Sequence, residues 1–393
     1  MRREEKQRVL SILRKGWQND ESHDAGGIMR CPVSDYTCPE LLAQEQRTFF
    51  RETPLLMGLS SDLQEPNSYW VDNASGVSIL MVRDSEGAFR AFGNVCRHRG
   101  ARVVPEGRGN ALQFSCPFHA WTYNNHGNLI AINRERKFGS ICKEEHSLIE
   151  LPCEEKFGML WVKPTPGGTV NVENCLGGME DDMSHWDLTS KSHGASQVIP
   201  ADANWKMAID TFGENYHFDV LHRDSLSSEI KGNLQTHDIY GLNYRMVFAR
   251  RNLLEAYESV ESPNDLPFRL VTLCVYFIYP NTILLIDQYA VDILRIFPAD
   301  NSTSKSNTHH SWYVFNDSKH YFEEGPHSYE ERFVGFNSVI VNEDYNVASQ
   351  SQAGAESEMY SHIVFGRNEP ALHHYHNAHR IGLGRKELEL ETA

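Results

Sequence analysis

Two short metal-ligand motifs lie close together in the first half of the chain. Cys96 and His98 form a C-x-H pair, and Cys116 and His119 form a C-x-x-H pair. Short β-rich runs and turn residues surround them, so each pair is expected on its own loop of a β domain. Two loops that each offer one thiolate and one imidazole constrain the fold strongly, because both must contribute to one metal centre.

The alternation of ligand types indicates which metal centre this is. In a Rieske [2Fe-2S] cluster, two thiolates hold one iron and two histidines hold the other, so each loop must give one ligand of each type. A structural zinc finger would instead pair Cys with Cys and His with His around a short helix. The pattern therefore predicts that a [2Fe-2S] cluster is bound by Cys96, His98, Cys116 and His119.

The flanks of both motifs resemble the Rieske loops of ring-hydroxylating oxygenases. Residues 96–101 read CRHRGA and residues 116–123 read CPFHAWTY. Ala120 is a departure, since that family usually has Gly at this point, and we expect it to require a slightly different backbone angle. The two extra cysteines of the disulfide-bearing cytochrome-complex Rieske proteins are missing, which favours the oxygenase branch.

A second constellation lies beyond the first, where His217 and His222 form an H-x4-H motif. On a regular helix, residues five apart point about 140° away from one another. The two histidines can therefore bind one metal only if the helix ends or distorts between them. By itself, H-x4-H indicates a helix with two partly exposed histidines more often than a metal site.

The neighbourhood of H-x4-H adds a second resemblance to the same family. Asn-Trp-Lys at 204–206, followed by an acidic residue and H-x4-H, is similar to the family's mononuclear-iron motif and follows the Rieske motif in the family's order. The resemblance implies a mononuclear Fe(II) held by His217, His222 and a carboxylate, with coordination positions left for O2.

The resemblance also suggests roles for three carboxylates. The third iron ligand is expected in the C-terminal helix, at Asp344, with its neighbour Glu343 as the alternative. Glu214 is expected to be a bridge and not a ligand, joining His217 of one subunit to His119 of the next through hydrogen bonds. Such a carboxylate would orient both rings and accommodate a proton as the cluster is reduced.

The organisation of the chain agrees with two domains, since 393 residues exceed the usual size of one core. Helical patterns at 4–15 and 39–51 precede short strands up to residue 162, and a Pro- and Gly-rich linker follows at 164–168. A helix is predicted at 204–221, then several long strands, including one run at 283–297, then helix from 329 to 380. The predicted segments are N-terminal helices at 1–54, a Rieske domain at 55–165 and a catalytic mononuclear iron domain at 166–393.

This order predicts an α+β fold. The resemblance adds that the second domain is a helix-grip, START-like fold with a curved antiparallel sheet around the substrate cavity. With 53 acidic and 37 basic side chains, the formal charge of -16 repels nucleic acid and anionic membrane surfaces. No apolar run approaches the ~18–20 residues that span a bilayer, and the start of the chain has no signal-peptide pattern. A cytoplasmic protein whose eight cysteines are free thiols or metal ligands is expected.

The resemblance implies the oxygenase component of a multicomponent system. Electrons would come from a separate ferredoxin or flavin reductase, with NAD(P)H upstream, and pass from the cluster to the iron of a neighbouring subunit in a head-to-tail homotrimer. The main expectation is hydroxylation or oxidative demethylation of a hydrophobic, aromatic small molecule by O2. Two alternatives stay open: a quaternary-amine monooxygenase of the carnitine or betaine type, and a Rieske electron carrier with a lipid-binding domain.

The evidence for the quaternary-amine alternative is Glu214, because most members have aspartate there and the quaternary-amine oxygenases are similar in having Glu. A trimethylammonium group would need an aromatic cage. The aromatic residues that could form one are interpreted in the first place as sheet core: Tyr276, Phe277, Tyr279, Tyr289 and Trp312. The His-rich run at 372–379 is assigned to a terminal helix, and His309-His310 to the start of a strand, both without a functional role.

Overall fold

The computed structural model describes residues 1–318 and 328–392. The chain forms two compact units, one of residues Gln46–Cys175 and one that combines Met1–Glu45 with Leu176–Ala393. Among the helices of the described residues, none has both the length and the apolar character needed to cross a membrane. All eight cysteines lie in the described residues, and none of them forms a disulfide bond.

This division differs from the predicted segments at both ends of the Rieske domain. The boundary falls after Cys175 and not after residue 165, and residues 1–45 belong to the second unit instead of standing apart. The reason is strand pairing over a long sequence separation. Strand Ile28–Pro32 pairs antiparallel with His362–Phe365 and with Leu390–Glu391, so the start of the chain completes a sheet with its end.

The unit Gln46–Cys175 consists of three small antiparallel sheets. The turn at residues 84–87 joins paired strands, and the Asp84 carboxylate accepts hydrogen bonds from the backbone N–H groups of Glu86 and Ala88. The strands are Leu55–Leu59, Ser68–Asp72, Ile79–Arg83, Phe89–Gly93, Gly107–Asn110, Gln113–Ser115, Thr122–Asn124, Leu129–Ala131, Glu150–Leu151, Cys153–Lys156 and Met159–Val162. The helical segments are Thr48–Glu52, Ser60–Leu63, Glu135–Phe138, Glu144–His146 and Val172–Leu176.

The second unit is built on a seven-stranded antiparallel sheet. From one edge to the other, its strands are Ser192–Ala201, Ser306–Val314, Ala290–Pro298, Thr282–Ile286, Thr272–Ile278, Asn243–Arg250 and Ile230–Tyr240. Its longer helices are Arg3–Asn19, Pro39–Arg47, Trp205–Asp210, Tyr329–Val339, Tyr345–Glu356 and Pro370–Gly382. The mixture of an antiparallel sheet with helices confirms the predicted α+β class.

Three predicted elements of this unit are shorter than expected. The helix predicted at 204–221 ends at Asp210, because hydrogen bonds from Phe212 N–H to Ile209 O and from Gly213 N–H to Asp210 O tighten its last turn. The strand run at 283–297 is a hairpin of two strands, and the C-terminal helical stretch is interrupted by strand His362–Phe365.

Candidate active site

The two loops with the predicted cluster ligands have matching backbone geometry. The N–H of Gly100 donates to Cys96 O over 2.9 Å, and the N–H of Ala120 donates to Cys116 O over 2.9 Å. Gly100 has a φ of 77° and Ala120 has a φ of 56°, both left-handed. Ala120 thus adopts a left-handed conformation that usually requires glycine, at a strain of about 1–2 kcal/mol.

The four predicted cluster ligands lie together at the ends of these loops. The Cys96 and Cys116 side chains are buried, and the rings of His98 and His119 have centroids 4.7 Å apart. His119 Nδ1 is buried and has no hydrogen-bond partner among the described residues, so this atom is available as a metal ligand. The Tyr123 hydroxyl lies 3.5 Å from Cys96 Sγ. This donor set fits a Rieske [2Fe-2S] cluster.

The electrostatics of these loops oppose metal-free thiolates. Burial raises the pKa of the Cys116 thiol, and its hydrogen bond with Cys96 raises it further. Burial and the neighbouring His119 lower the pKa of His98. The loop around Cys116 thus favours its neutral thiol, so binding of a cluster would release a proton from it.

His217, His222 and Asp344 converge in the second unit. The Nε2 atoms of the two histidines are 3.1 Å apart, and Asp344 Oδ1 lies 3.6 Å from His217 Nε2 and 3.3 Å from His222 Nε2. All three ligand atoms are within 4.8 Å of one another. The helix has already ended at Asp210, so both histidines lie on turns, which meets the demand that the H-x4-H spacing imposed.

A π-helical segment, Ile340–Asp344, presents two adjacent carboxylates to different sides of the histidine pair. Asp344 faces the Nε2 atoms, whereas the Glu343 carboxylate faces His222 Nδ1 over 2.7 Å and accepts from the Ser225 hydroxyl over 2.8 Å. Glu214 likewise accepts a hydrogen bond from His217 Nδ1 and one from the His217 backbone N–H at 3.1 Å.

These contacts orient both rings for metal binding. Because carboxylates occupy the Nδ1 sides, the Nε2 atoms of both histidines are left to face Asp344 and the space between them. Two imidazoles and one carboxylate form the donor set of non-haem iron(II) sites that bind O2. The arrangement fits a mononuclear iron with Glu214 and Glu343 as its outer hydrogen-bonding partners.

The charge states agree with a site built for a cation. Burial lowers the pKa of His217, but hydrogen bonds to Asp344 and Glu214 outweigh it and raise that pKa to about 9. The pKa of Asp344 is lowered, because the two histidines outweigh its burial. Both shifts favour positive charge between these side chains, which a metal dication would bring.

A cavity of about 360 Å³ lies beside this site. Its wall includes Ser225, the residue that donates to Glu343, and Val339, which directly precedes the segment Ile340–Asp344. Among the described residues, four aromatic and four acidic side chains line it, together with two arginines. They are Tyr289, Trp312, Phe333, Phe336, Glu229, Asp287, Asp292, Glu331, Arg250 and Arg332.

Other residues considered in the sequence take different places. Of the five aromatic residues weighed as a cage, Tyr289 and Trp312 line the cavity, while the Tyr276 hydroxyl is buried against Asp182 at 3.0 Å. The His-rich run forms helix Pro370–Gly382, as predicted. His310, which was assigned no role, is buried between two polar side chains beside the cavity. The sequence could have indicated this place, because His310 lies two residues before Trp312 and alternate residues of a strand share a face.

Comparisons with known proteins identify the family. The model for the Rieske [2Fe-2S] domain matches residues 53–149, and the model for the ring hydroxylating alpha subunit (catalytic domain) matches residues 188–381. The chain belongs to the Rieske non-haem iron oxygenases, as a member with the alpha-subunit architecture. It is an oxidoreductase of a family that carries a [2Fe-2S] cluster and a mononuclear iron and takes electrons from a separate redox partner.

Two oxygenases of known substrate are similar to this chain over most of its length. The carnitine monooxygenase oxygenase subunit of Acinetobacter baumannii is 27% identical over 335 residues, which are 84% of this chain and 86% of that protein. Chloroplastic choline monooxygenase of Spinacia oleracea is 26% identical over 359 residues, which are 88% of this chain and 76% of that protein.

A solved structure shares the fold. It is a quaternary ammonium Rieske monooxygenase, described with regard to carnitine oxidation by gut microbiota and inter-subunit electron transfer. It superposes with a TM-score of 0.75 at 19% identity, covering 92% of this chain and 97% of that one.

Proposed function

We propose that this chain is the oxygenase component of a Rieske monooxygenase that oxidises a small quaternary ammonium compound. The aromatic substrate that was the main expectation is the weaker proposal, because relatives named for carnitine and choline match most of the chain. The alternative kept on the strength of Glu214 takes its place. The observation that carries the proposal is the mixture of aromatic and acidic side chains in the cavity beside His222.

The cavity suits a cationic substrate for two reasons. Aromatic faces attract quaternary ammonium groups through their negative quadrupole, and four rings line the space. Four carboxylates face two guanidinium groups there, so the formal charge of the lining is negative. An uncharged aromatic substrate would form no ion pair with the carboxylates, and its binding would remove water from them at a cost in free energy.

The two arginines suggest which ammonium compounds fit best. Arg250 is occupied by Glu229 at 2.9 Å and by Asp287. Arg332 lies over the Tyr289 ring, 5.9 Å from its centroid, and could receive the carboxylate of a betaine-like substrate. A zwitterion with separate ammonium and carboxylate ends matches this distribution of charge.

The proposal assigns the cofactors to the predicted residues. The [2Fe-2S] cluster is held by Cys96, His98, Cys116 and His119, and Fe(II) is held by His217, His222 and Asp344. The iron, when bound, activates O2 with electrons delivered through the cluster. Glu214 and Glu343 orient the two imidazoles, and the cavity places a carbon next to the quaternary nitrogen for attack.

The reaction balances as a monooxygenation. Hydroxylating a carbon bonded to the quaternary nitrogen consumes one O2, two electrons and two protons, and it releases one water. The resulting carbinol breaks its C–N bond, with the electron pair going to nitrogen, to give a tertiary amine, a carbonyl compound and one proton. Electrons come from a separate ferredoxin or flavin reductase.

The assembly and location belong to the same proposal. A head-to-tail homotrimer would bring the cluster of one subunit to the iron of the next, with Glu214 as the link between His217 and the partner's His119. The solved relative described with inter-subunit electron transfer supports this arrangement. A cytoplasmic location is supported by the sparse, free cysteines.

The test is a substrate screen of the reconstituted holoenzyme with a surrogate reductase. Carnitine, γ-butyrobetaine, glycine betaine and choline are compared with benzoate and naphthalene, and O2 uptake is matched to the amine or aldehyde formed. His217→Ala is the control, because it should keep the Rieske spectrum and lose turnover. Coupled oxidation of the aromatic compounds, with none of the ammonium compounds consumed, would overturn the proposal.

A further inference from the structure

One carboxylate of the cavity, Asp292, is held by a histidine. Asp287 and Glu229 both contact Arg250, and Glu331 caps its own helix by accepting from the Ser328 N–H at 2.8 Å. Asp292 differs, because within the described part of the chain its one hydrogen-bonding partner is a histidine. It is 7% exposed and lies on strand Ala290–Pro298.

That histidine is His310 on the neighbouring strand. Its Nε2 lies 2.7 Å from Asp292 Oδ1, and its Nδ1 lies 2.6 Å from Asn337 Oδ1. The Asn337 amide nitrogen donates to Gln197 Oε1 at 3.0 Å, which turns its oxygen toward the histidine. The ring therefore donates from Nδ1 to Asn337 and from Nε2 to Asp292, and it is also stacked on Phe333 with centroids 4.8 Å apart. These contacts fix the ring and, through it, Asp292.

The same strand pair places an aromatic face next to this carboxylate. Asp292 and Trp312 are directly opposite one another in register, and both line the cavity. Phe333 lies 6.2 Å from the Trp312 ring, centroid to centroid. A carboxylate beside aromatic faces combines the two interactions that bind an ammonium group.

We propose that Asp292 is the residue that selects for the ammonium group of the substrate, with His310 and Asn337 holding its carboxylate toward the cavity. This rests on the proposed function and adds its specificity determinant. A buried carboxylate is costly unless it is paired; His310 pairs with one oxygen of Asp292, and a cation in the cavity adds a second partner. Burial raises the pKa of Asp292, although its hydrogen bond with His310 opposes the rise.

The test uses pairs of ligands that differ only in charge. Glycine betaine is compared with 3,3-dimethylbutanoate, and choline with 3,3-dimethylbutan-1-ol, because carbon replaces the quaternary nitrogen in each isostere. Dissociation constants are measured calorimetrically on the reconstituted holoenzyme without O2. The wild-type protein should prefer the ammonium member, and Asp292→Asn should reduce this preference about tenfold or more, mainly by weakening the charged ligand.

The matched control is Asp287→Asn, which removes a carboxylate of the same cavity that is already paired with Arg250. It should leave the preference within about threefold of the wild-type value. Asp292→Glu keeps the charge and should retain most of the preference while weakening both ligands. If Asp292→Asn does not accumulate with its Rieske spectrum, Asp292→Ser serves the same comparison.

The outcomes separate this inference from the proposed function. A wild-type protein that binds charged and uncharged members equally would overturn the proposed function itself. A wild-type preference that survives in Asp292→Asn would leave the proposed function standing and refute the role of Asp292. Equal losses in the Asp292 and Asp287 variants would also refute it, because the effect would then come from the summed charge of the cavity.

Discussion

The neighbouring carboxylates Glu343 and Asp344 can be separated by experiment, because the structure places them on different sides of His222. Asp344 Oδ1 faces the Nε2 atoms of both histidines, and Glu343 faces only the Nδ1 of His222. Asp344→Ala should therefore remove the mononuclear iron and all turnover. Glu343→Ala should leave a three-residue site that binds iron more weakly.

The magnitude for Glu343 follows from what its loss leaves behind. His222 Nδ1 and the Ser225 hydroxyl both lose their acceptor, and the buried ring is no longer held in place. Losing such an outer partner typically weakens metal binding about 10–100-fold, which corresponds to about 1.4–2.8 kcal/mol. Glu343→Gln keeps an acceptor oxygen and should weaken binding by less than about tenfold.

The assay is anaerobic titration of the iron-free mononuclear site with Fe(II) against a competing chelator. The Rieske spectrum serves as the internal standard, since its ligands lie in the other structural unit. If Asp344→Ala keeps its iron and activity while Glu343→Ala loses both, the third ligand is Glu343 and the geometric reasoning is refuted.

Four further substitutions test the remaining parts of the site. Cys116→Ser should abolish the red-brown colour and the electron paramagnetic resonance signal of the dithionite-reduced cluster; a coloured variant would refute the cluster assignment. Ala120→Gly should raise the free energy of unfolding of the Rieske unit by about 1 kcal/mol in denaturant titrations, because relief of left-handed strain exceeds the added entropy of the unfolded chain. Gly100→Ala should lower the free energy of unfolding. If both variants change it in the same direction, the argument from strain is contradicted. Glu214→Gln should retain the cluster and the mononuclear iron but slow the reoxidation of the reduced cluster when substrate and O2 are supplied. Reoxidation at the wild-type rate would exclude Glu214 from the electron path. Loss of the mononuclear iron would show that Glu214 is a ligand.

Much of the chemistry was readable from the sequence because it is local. The order of cysteine and histidine in two short motifs is enough to indicate a Rieske centre, since each motif lies on one loop and the ligand types decide the metal. The same holds for His217 and His222, whose five-residue spacing already required a helix end between them. The structure supplies that end at Asp210, after bonds of the i→i−3 type.

The substrate cavity, in contrast, was decided by the tertiary structure. Asp292, Trp312 and His310 come together through the register of two strands, and a slip of one residue would turn every one of these side chains to the opposite face. The choice between Glu343 and Asp344 depends in the same way on the local turn of a π-helical segment. Short-range spacing therefore determined which metals the protein can bind, whereas strand pairing over long sequence separations determined what can lie beside them.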